Sequence, residues 1–145
     1  MYLYPQLLEL SVNLLLANDE CGAKDFDKIV TVVQNGVPLA TLVSLITKKP
    51  LVIVKRRKES LLLDYYEEPV REGDGSISFL YVRKDYVRKG DKFLFVDDVI
   101  RSGKTLLSVK NLIDKAGASI VGALTLVSLD PESVKSLGFS VCKLL

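Results

Sequence analysis

The sequence predicts an α/β fold with a doubly wound parallel sheet. Three observations predict it: short runs that are apolar throughout, helical segments that alternate with these runs, and 145 residues of which 48% are hydrophobic. A strand with one wet face alternates polar and apolar residues, whereas a strand covered by helices on both faces is apolar throughout. A chain of this length is suited to one hydrophobic core, so we expect a single domain over residues 1–145.

The N-terminal part is predicted to alternate helices and strands. A leucine-rich segment begins at Pro5, and a proline in the first turn also opens the segment that starts at Gly36. The predicted elements are, in order, a helix over 5–18, a strand over 29–33, a helix over 36–48 and a strand over 51–55. The two strands are apolar runs rich in β-branched residues, as buried strands are.

The C-terminal part repeats this alternation after an insert of different composition. The predicted elements are a strand over 92–96, a helix over 105–115 closed by Gly117, a strand over 119–126, a short helix over 131–137 and a strand over 140–144. Residues 58–91 mix Leu, Tyr, Glu and Gly. We interpret them as a flexible antiparallel insert with strands at 61–66 and 76–82.

Composition excludes several classes of function. The formal charge is +2, from 20 basic and 18 acidic residues, which gives no global field for nucleic-acid or membrane binding. No apolar run approaches the ~20 residues that span a bilayer, so we expect a cytoplasmic protein. The chain has no histidine, and Cys21 and Cys142 match no metal spacing. We expect both cysteines to be structural thiols, with no zinc site and no histidine-based nucleophile.

The strongest candidate site is the segment 93–105. Apolar strand residues lead to two adjacent acids, Asp97 and Asp98, and a loop of small hydroxyl and glycine residues then enters a helix. Backbone N–H groups of this loop and the positive end of the helix form a phosphate cradle, with the hydroxyls of Ser102 and Thr105 as further donors. The paired carboxylates beside it suit sugar hydroxyls or a magnesium ion.

This segment resembles the phosphoribosyl pyrophosphate loop of the type I phosphoribosyltransferases. The resemblance implies that Asp97 and Asp98 are catalytic residues that hold the ribose hydroxyls and reach a Mg²⁺ cofactor. It assigns the 5′-phosphate to Arg101, Ser102, Gly103, Lys104 and Thr105. Arg101 and Lys104 depart from the family pattern, which usually has small residues there.

Two other strand ends resemble the parts of that family that bind pyrophosphate. Asn35 and Gly36 follow the first strand, where backbone amides near a glycine meet the diphosphate in the family. The basic run 55–58 ends the second strand, and from it we predict Lys55, Arg57 and Lys58 as ligands of the diphosphate. In the family such basic residues commonly act on the neighbouring subunit, so we expect a homodimer.

The nucleobase is predicted less directly. The region 80–92 resembles adenine phosphoribosyltransferases, and most of the chain resembles them or the archaeal purine group. Adenine enzymes place an acid near the base in the insert, and we choose Asp74, with Glu72 as the alternative. Only one helix precedes the first predicted strand, so we expect a reduced hood over the base.

These observations predict a magnesium-dependent phosphoribosyltransferase for nucleotide salvage. It would transfer phosphoribose from phosphoribosyl pyrophosphate to a purine, adenine or hypoxanthine, and release pyrophosphate. Two alternatives stay open: a non-catalytic regulator that binds phosphoribosyl pyrophosphate or a nucleotide on the same fold, and a pyrimidine (orotate) phosphoribosyltransferase. No nucleic-acid partner is expected.

Overall fold

A computed structural model describes residues 3–18 and 25–145 of the chain. The helices are α1 (Pro5–Ala17), α2 (Val37–Thr47) and α3 (Lys104–Lys115), and the strands are β1 (Lys28–Val32), β2 (Leu51–Val54), β3 (Tyr65–Arg71), β4 (Ile77–Arg83), β5 (Lys92–Ile100), β6 (Ser119–Ser128) and β7 (Ser140–Lys143). Short 3₁₀ helices occupy Lys84–Tyr86 and Pro131–Leu137. Among the described helices, none is long and apolar enough to cross a membrane.

The central sheet is parallel and is covered on both faces, as predicted. Its strand order is β2-β1-β5-β6-β7. Successive side chains of β5 alternate between the faces. Phe93 and Phe95 pack into the core under α3, whereas Leu94 and Val96 pack into the core shared with α1 and α2. This two-sided burial explains why the strands are continuous apolar runs in the sequence.

The insert is an antiparallel hairpin, but its first strand lies later in the chain than predicted. Strand β3 covers Tyr65–Arg71 and not 61–66, and it pairs with β4 from Tyr65↔Arg83 to Arg71↔Ile77. The turn is tight, because the Glu72 N–H donates to the Ser76 carbonyl at 2.8 Å and Gly75 adopts a φ of +87°. The turn sets the register of the hairpin, and the apolar residues 61–63 lie outside it.

Strand β5 is longer than the predicted 92–96. It continues to Ile100, so Asp97 and Asp98 lie within the strand and not in the loop after it. Pairing with β6 explains the extension, because Asp97 is in register with Thr125 and Ile100 with Ser128. The Thr125 hydroxyl also donates to the Asp98 carbonyl at 2.9 Å. Backbone pairing therefore continues where the apolar pattern stops.

Cys142 differs from the predicted structural thiol. Its side chain is buried in β7 and takes part in a disulfide bond, so the prediction of a thiol is wrong for this residue. The other cysteine of the sequence, Cys21, lies outside the described residues.

Candidate functional site

Two adjoining cavities open at the carboxyl ends of the parallel strands, where ligands of doubly wound sheets bind. The first, of about 440 Å³, is lined by the loop after β1, the acids of β5, the loop into α3 and the tip of the hairpin. The second, of about 640 Å³, is lined by the loop after β1 and the basic run after β2. Residues 33–35 and Arg56 line both cavities. The three predicted strand ends are therefore brought together.

The acid pair lies half-buried in the first cavity. The Asp97 carboxylate accepts a hydrogen bond from the Asp98 N–H at 2.8 Å, and the Asp98 carboxylate accepts one from the Val99 N–H at 2.8 Å. Burial, together with the side-chain hydrogen bond and the negative charge of Asp98, raises the pKa of the Asp97 carboxyl to about 7. Asp97 can therefore exchange a proton near neutral pH, and a nearby cation would stabilise its ionised form.

The loop from Arg101 to Gly103 enters α3 as predicted and lines the first cavity with Lys104 and Thr105. Gly103 adopts a φ of +77°, which favours glycine, and its ideal Cβ position lies only 2.9 Å from Cγ1 of Val134. The first amides of α3 have no acceptor within the helix. They and the helix dipole make this end of the cavity suited to an anion.

The loop after β1 divides its predicted residues between two roles. Asn35 lines both cavities, and the loop contains a cis peptide between Val33 and Gln34. Gly36 is not among the lining residues but packs behind the acid pair. An ideal Cβ atom on Gly36 would lie 2.7 Å from both Asp97 Oδ1 and Thr31 Oγ1.

The basic run after β2 lines the second cavity, where its three predicted residues are found. Lys55 forms an ion pair with Glu59, and Lys58 lies over the Tyr81 ring at 5.5 Å from its centroid. The sequence-based choice omits Arg56, which lines both cavities and is bound to Glu72. Nothing in the run itself separates Arg56 from its neighbours, so only the tertiary structure identifies it.

The hairpin tip presents its two acids differently. Both the hydroxyl and the N–H of Ser76 donate to Asp74 Oδ1, at 2.6 and 2.9 Å, and these hydrogen bonds hold the pKa of Asp74 below its ordinary value. Asp74 is absent from the residues that line the first cavity, whereas Glu72 is among them. The structure therefore brings Glu72, and not Asp74, to the site.

The fold and the site together define an α/β protein with a carboxylate pair, a helix-entry loop and a set of cations at the carboxyl edge of a parallel sheet. Residues 15–137 match the family model described as phosphoribosyl transferase domain. The chain belongs to this family, and its resemblance to the type I phosphoribosyltransferases is confirmed.

Curated relatives are named for a purine substrate. The hypoxanthine/guanine phosphoribosyltransferase of Methanothermococcus okinawensis is 46% identical over 97 residues, which are 66% of this chain and 50% of that protein. The protein of the same name from Methanocella paludicola is 33% identical over 144 residues, or 94% of this chain and 69% of its own length. The chain spans about half the length of several curated relatives that it matches.

Solved structures show the same fold. Adenine phosphoribosyltransferase from Rhodothermus marinus superimposes with a TM-score of 0.84 at 23% identity, over 98% of this chain and 80% of that one. The enzyme from Saccharomyces cerevisiae superimposes with a TM-score of 0.85 at 18% identity, over 99% and 82%. At these identities the likeness establishes the fold alone.

Proposed function

We propose that this chain transfers phosphoribose from phosphoribosyl pyrophosphate to N9 of a purine and releases pyrophosphate, as a step of nucleotide salvage. One observation carries the proposal: the Asp97–Asp98 pair, the loop into α3 and the basic run after β2 line two adjoining cavities. A sugar that carries a phosphate on one side and a diphosphate on the other needs such an arrangement.

Each part of the site has a distinct task in this proposal. Loop amides of residues 101–105 and the dipole of α3 bind the 5′-phosphate. Asp97 and Asp98 orient the ribose hydroxyls and offset the positive charge that develops on the ribose ring. Asn35 and the cations Arg56, Arg57 and Lys58, on the opposite side, stabilise the negative charge that develops on the departing diphosphate.

The acid pair also suits a magnesium ion. Hard carboxylate oxygens are the ligands that Mg²⁺ prefers, and it is commonly held by one or two carboxylates together with substrate phosphates. The described residues contain no cluster of three or more acidic, His or Cys side chains that could hold a metal alone. We propose that Asp97 and Asp98 hold Mg²⁺ jointly with the substrate. When bound, the ion would neutralise diphosphate charge.

The purine is proposed to be a 6-oxopurine, hypoxanthine or guanine. Curated relatives at 33% to 46% identity carry that name, whereas the adenine enzymes are similar in fold alone. Adenine therefore becomes the second choice. A regulator that binds without turnover is kept as the alternative function, because the cations Arg101 and Lys104 lie in the phosphate loop and line its cavity.

The proposed assembly is a homodimer. On α1, Leu7, Leu10 and Leu14 are 49%, 54% and 56% exposed and lie on one side of the helix, next to its buried face. Exposed apolar patches of this kind mark interaction sites. Light scattering after size-exclusion chromatography measures the mass. The homodimer predicts twice the chain's 16.1 kDa, and a monomer would contradict it. The cytoplasmic location also stays a prediction.

A turnover assay tests the function. Purified protein is incubated with phosphoribosyl pyrophosphate, Mg²⁺ and one base at a time: hypoxanthine, guanine, adenine, xanthine, orotate or uracil. We expect nucleotide and pyrophosphate from hypoxanthine or guanine, and loss of turnover when Asp97 and Asp98 are both replaced by Asn. Calorimetry with phosphoribosyl pyrophosphate runs in parallel. Binding without turnover on any base would favour the regulator, and absence of binding would contradict both functions.

A further inference from the structure

One ion pair joins the tip of the hairpin to the basic run after β2. Nη1 of Arg56 lies 3.2 Å from Oε1 of Glu72, and the Ser78 hydroxyl donates to the same oxygen at 2.5 Å. Glu72 is held in place from the backbone as well, because its N–H donates to the Ser76 carbonyl and its carbonyl accepts from the Gly75 N–H at 3.0 Å. The carboxylate that neutralises Arg56 is thus fixed by its own turn.

Arg56 lies where a diphosphate would need a cation. It lines the cavity of the acid pair and also the cavity of the basic run. The side chains of Arg56 and Glu72 are 42% and 40% exposed, so a ligand can reach Arg56 from either cavity and Glu72 from the cavity of the acid pair. Such a partly exposed ion pair contributes little to stability and is readily exchanged for a stronger partner.

We propose that Glu72 is a positioning residue that occupies Arg56 in the free protein and is displaced by the diphosphate group of the ligand. A diphosphate has more negative charge and more acceptor oxygens than one carboxylate, so it is the stronger partner for a guanidinium. Once displaced, Glu72 is repelled by the diphosphate, and the hairpin tip loses its tie to the basic run. The inference rests on the proposed function, in which diphosphate binds between these cavities.

This competition gives Glu72 an effect opposite to that of a ligand-binding residue. It weakens diphosphate binding, because part of the binding free energy goes into breaking the Arg56–Glu72 pair. It also favours release, because Glu72 recaptures Arg56 as the diphosphate leaves. Removing the carboxylate therefore strengthens binding, which mere damage to the structure would not do.

The affinity of inorganic pyrophosphate, measured by calorimetry with Mg²⁺, tests the inference. Relative to wild type, we expect Glu72→Gln to bind about two- to fivefold more tightly, the range set by exposed ion pairs. Arg56→Gln should bind more weakly. The double variant Arg56→Gln, Glu72→Gln should have nearly the same pyrophosphate affinity as Arg56→Gln, because Glu72 acts through Arg56. Unchanged or weaker binding by Glu72→Gln would overturn the inference.

A matched control separates the pair from general electrostatics. Glu67 is exposed on the same hairpin and lines neither cavity, so Glu67→Gln makes the same change of charge away from Arg56. We expect its pyrophosphate affinity to equal that of wild type. Equal tightening by Glu67→Gln and Glu72→Gln would show an effect of net charge and overturn the inference.

Hydrogen exchange of the hairpin-tip amides distinguishes failure of this inference from failure of the proposed function. Pyrophosphate should speed hydrogen exchange at the amides of residues 72 and 75 in wild type. The exchange rate should approach the rate that Glu72→Gln shows without ligand. Unchanged or slower exchange in protein that binds pyrophosphate would overturn the displacement alone. Wild type that binds neither pyrophosphate nor phosphoribosyl pyrophosphate would overturn the proposed function, and the inference with it.

Discussion

Oδ1 of Asp97 lies 2.7 Å from the position that a Cβ atom on Gly36 would occupy. Thr31 Oγ1, whose hydroxyl donates to the Val96 carbonyl at 2.7 Å, lies equally close to the same position. Gly36 has an ordinary φ of −79°, so the glycine is needed for space and not for backbone conformation. The loop after β1 and the acid pair of β5 are thus packed directly on each other.

Replacing Gly36 by Ala should move the Asp97 carboxylate or the loop, because neither contact leaves room for a methyl group. We expect a loss of about 1–3 kcal/mol in the free energy of unfolding, the usual cost of overpacking, and weaker binding of phosphoribosyl pyrophosphate. Urea unfolding and calorimetry measure the two effects. In Gly73→Ala, where no atom lies within 4 Å of the added Cβ, stability should be nearly unchanged. Equal stability losses in both variants would contradict the packing account.

The raised pKa of Asp97 predicts a pH-dependent penalty on stability. Burial, the Asp98 hydrogen bond and the Asp98 charge raise this pKa from 3.8 to about 7. Between these values the folded protein binds more protons than the unfolded chain, so stability falls as pH rises through this window. Asp97→Asn should therefore stabilise the unliganded protein at pH 8 by a few kcal/mol, since each pKa unit is about 1.4 kcal/mol, and stabilise it little near pH 4.

Urea unfolding of wild type and Asp97→Asn at pH 4, 6 and 8 measures this difference. The same variant should bind phosphoribosyl pyrophosphate more weakly, because Asp97 is proposed to orient the ribose hydroxyls. The Asp97 carboxyl would then lower stability and contribute to ligand binding. A stability difference that is constant across the three pH values would contradict the pKa assignment.

Gly103→Ala combines two costs at the entrance to α3. The φ of +77° costs an L-residue roughly 1–2 kcal/mol, and the added Cβ would lie 2.9 Å from Val134 Cγ1. Gly138→Ala is a matched control, since its φ is +87° and its Cβ position is open. We expect Gly103→Ala to unfold at lower urea concentration than Gly138→Ala. Equal midpoints would show that Val134 gives way at no cost.

Asp91 and Lys28 form a half-buried ion pair at the start of the sheet, with Nζ and Oδ2 2.8 Å apart. Burial raises the pKa of Asp91, but hydrogen bonds and charges of Lys28 and Arg88 outweigh burial and place it below 3.8. The pair therefore stabilises the fold above that pH and ceases to do so as pH falls through the lowered pKa.

Asp91→Asn should cost about 1 kcal/mol in the free energy of unfolding at pH 7 and progressively less as the pH falls below 3.8. The more exposed Asp85, which pairs with Arg83, serves as a comparison, and Asp85→Asn should have a smaller effect at pH 7. Thermal unfolding at pH 7 and pH 3 checks both. Equal destabilisation by Asp91→Asn at the two pH values would contradict a charge-based role.

The predictable part of this fold follows from local patterns. Apolar runs such as 51–54 and 93–96 predict buried strands because a strand covered on both faces favours apolar residues at every position. The loop from Arg101 to Thr105 is predictable because small residues and a helix start leave amides available to an anion. The leucines at 61–63 suggest a strand over 61–66, whereas the turn at Gly75 sets the register and places β3 at Tyr65–Arg71.

The sequence by itself determined the parallel α/β fold, the order of its elements and the acid pair beside a phosphate loop, since each depends on residues close together in the chain. Only the tertiary structure decided that Asp97 is buried, that Gly36 packs on it, and that Arg56 meets Glu72 between two cavities. These relationships join separate strand ends. Their distances depend on how strands pair and on where the hairpin turns, which a local pattern does not contain.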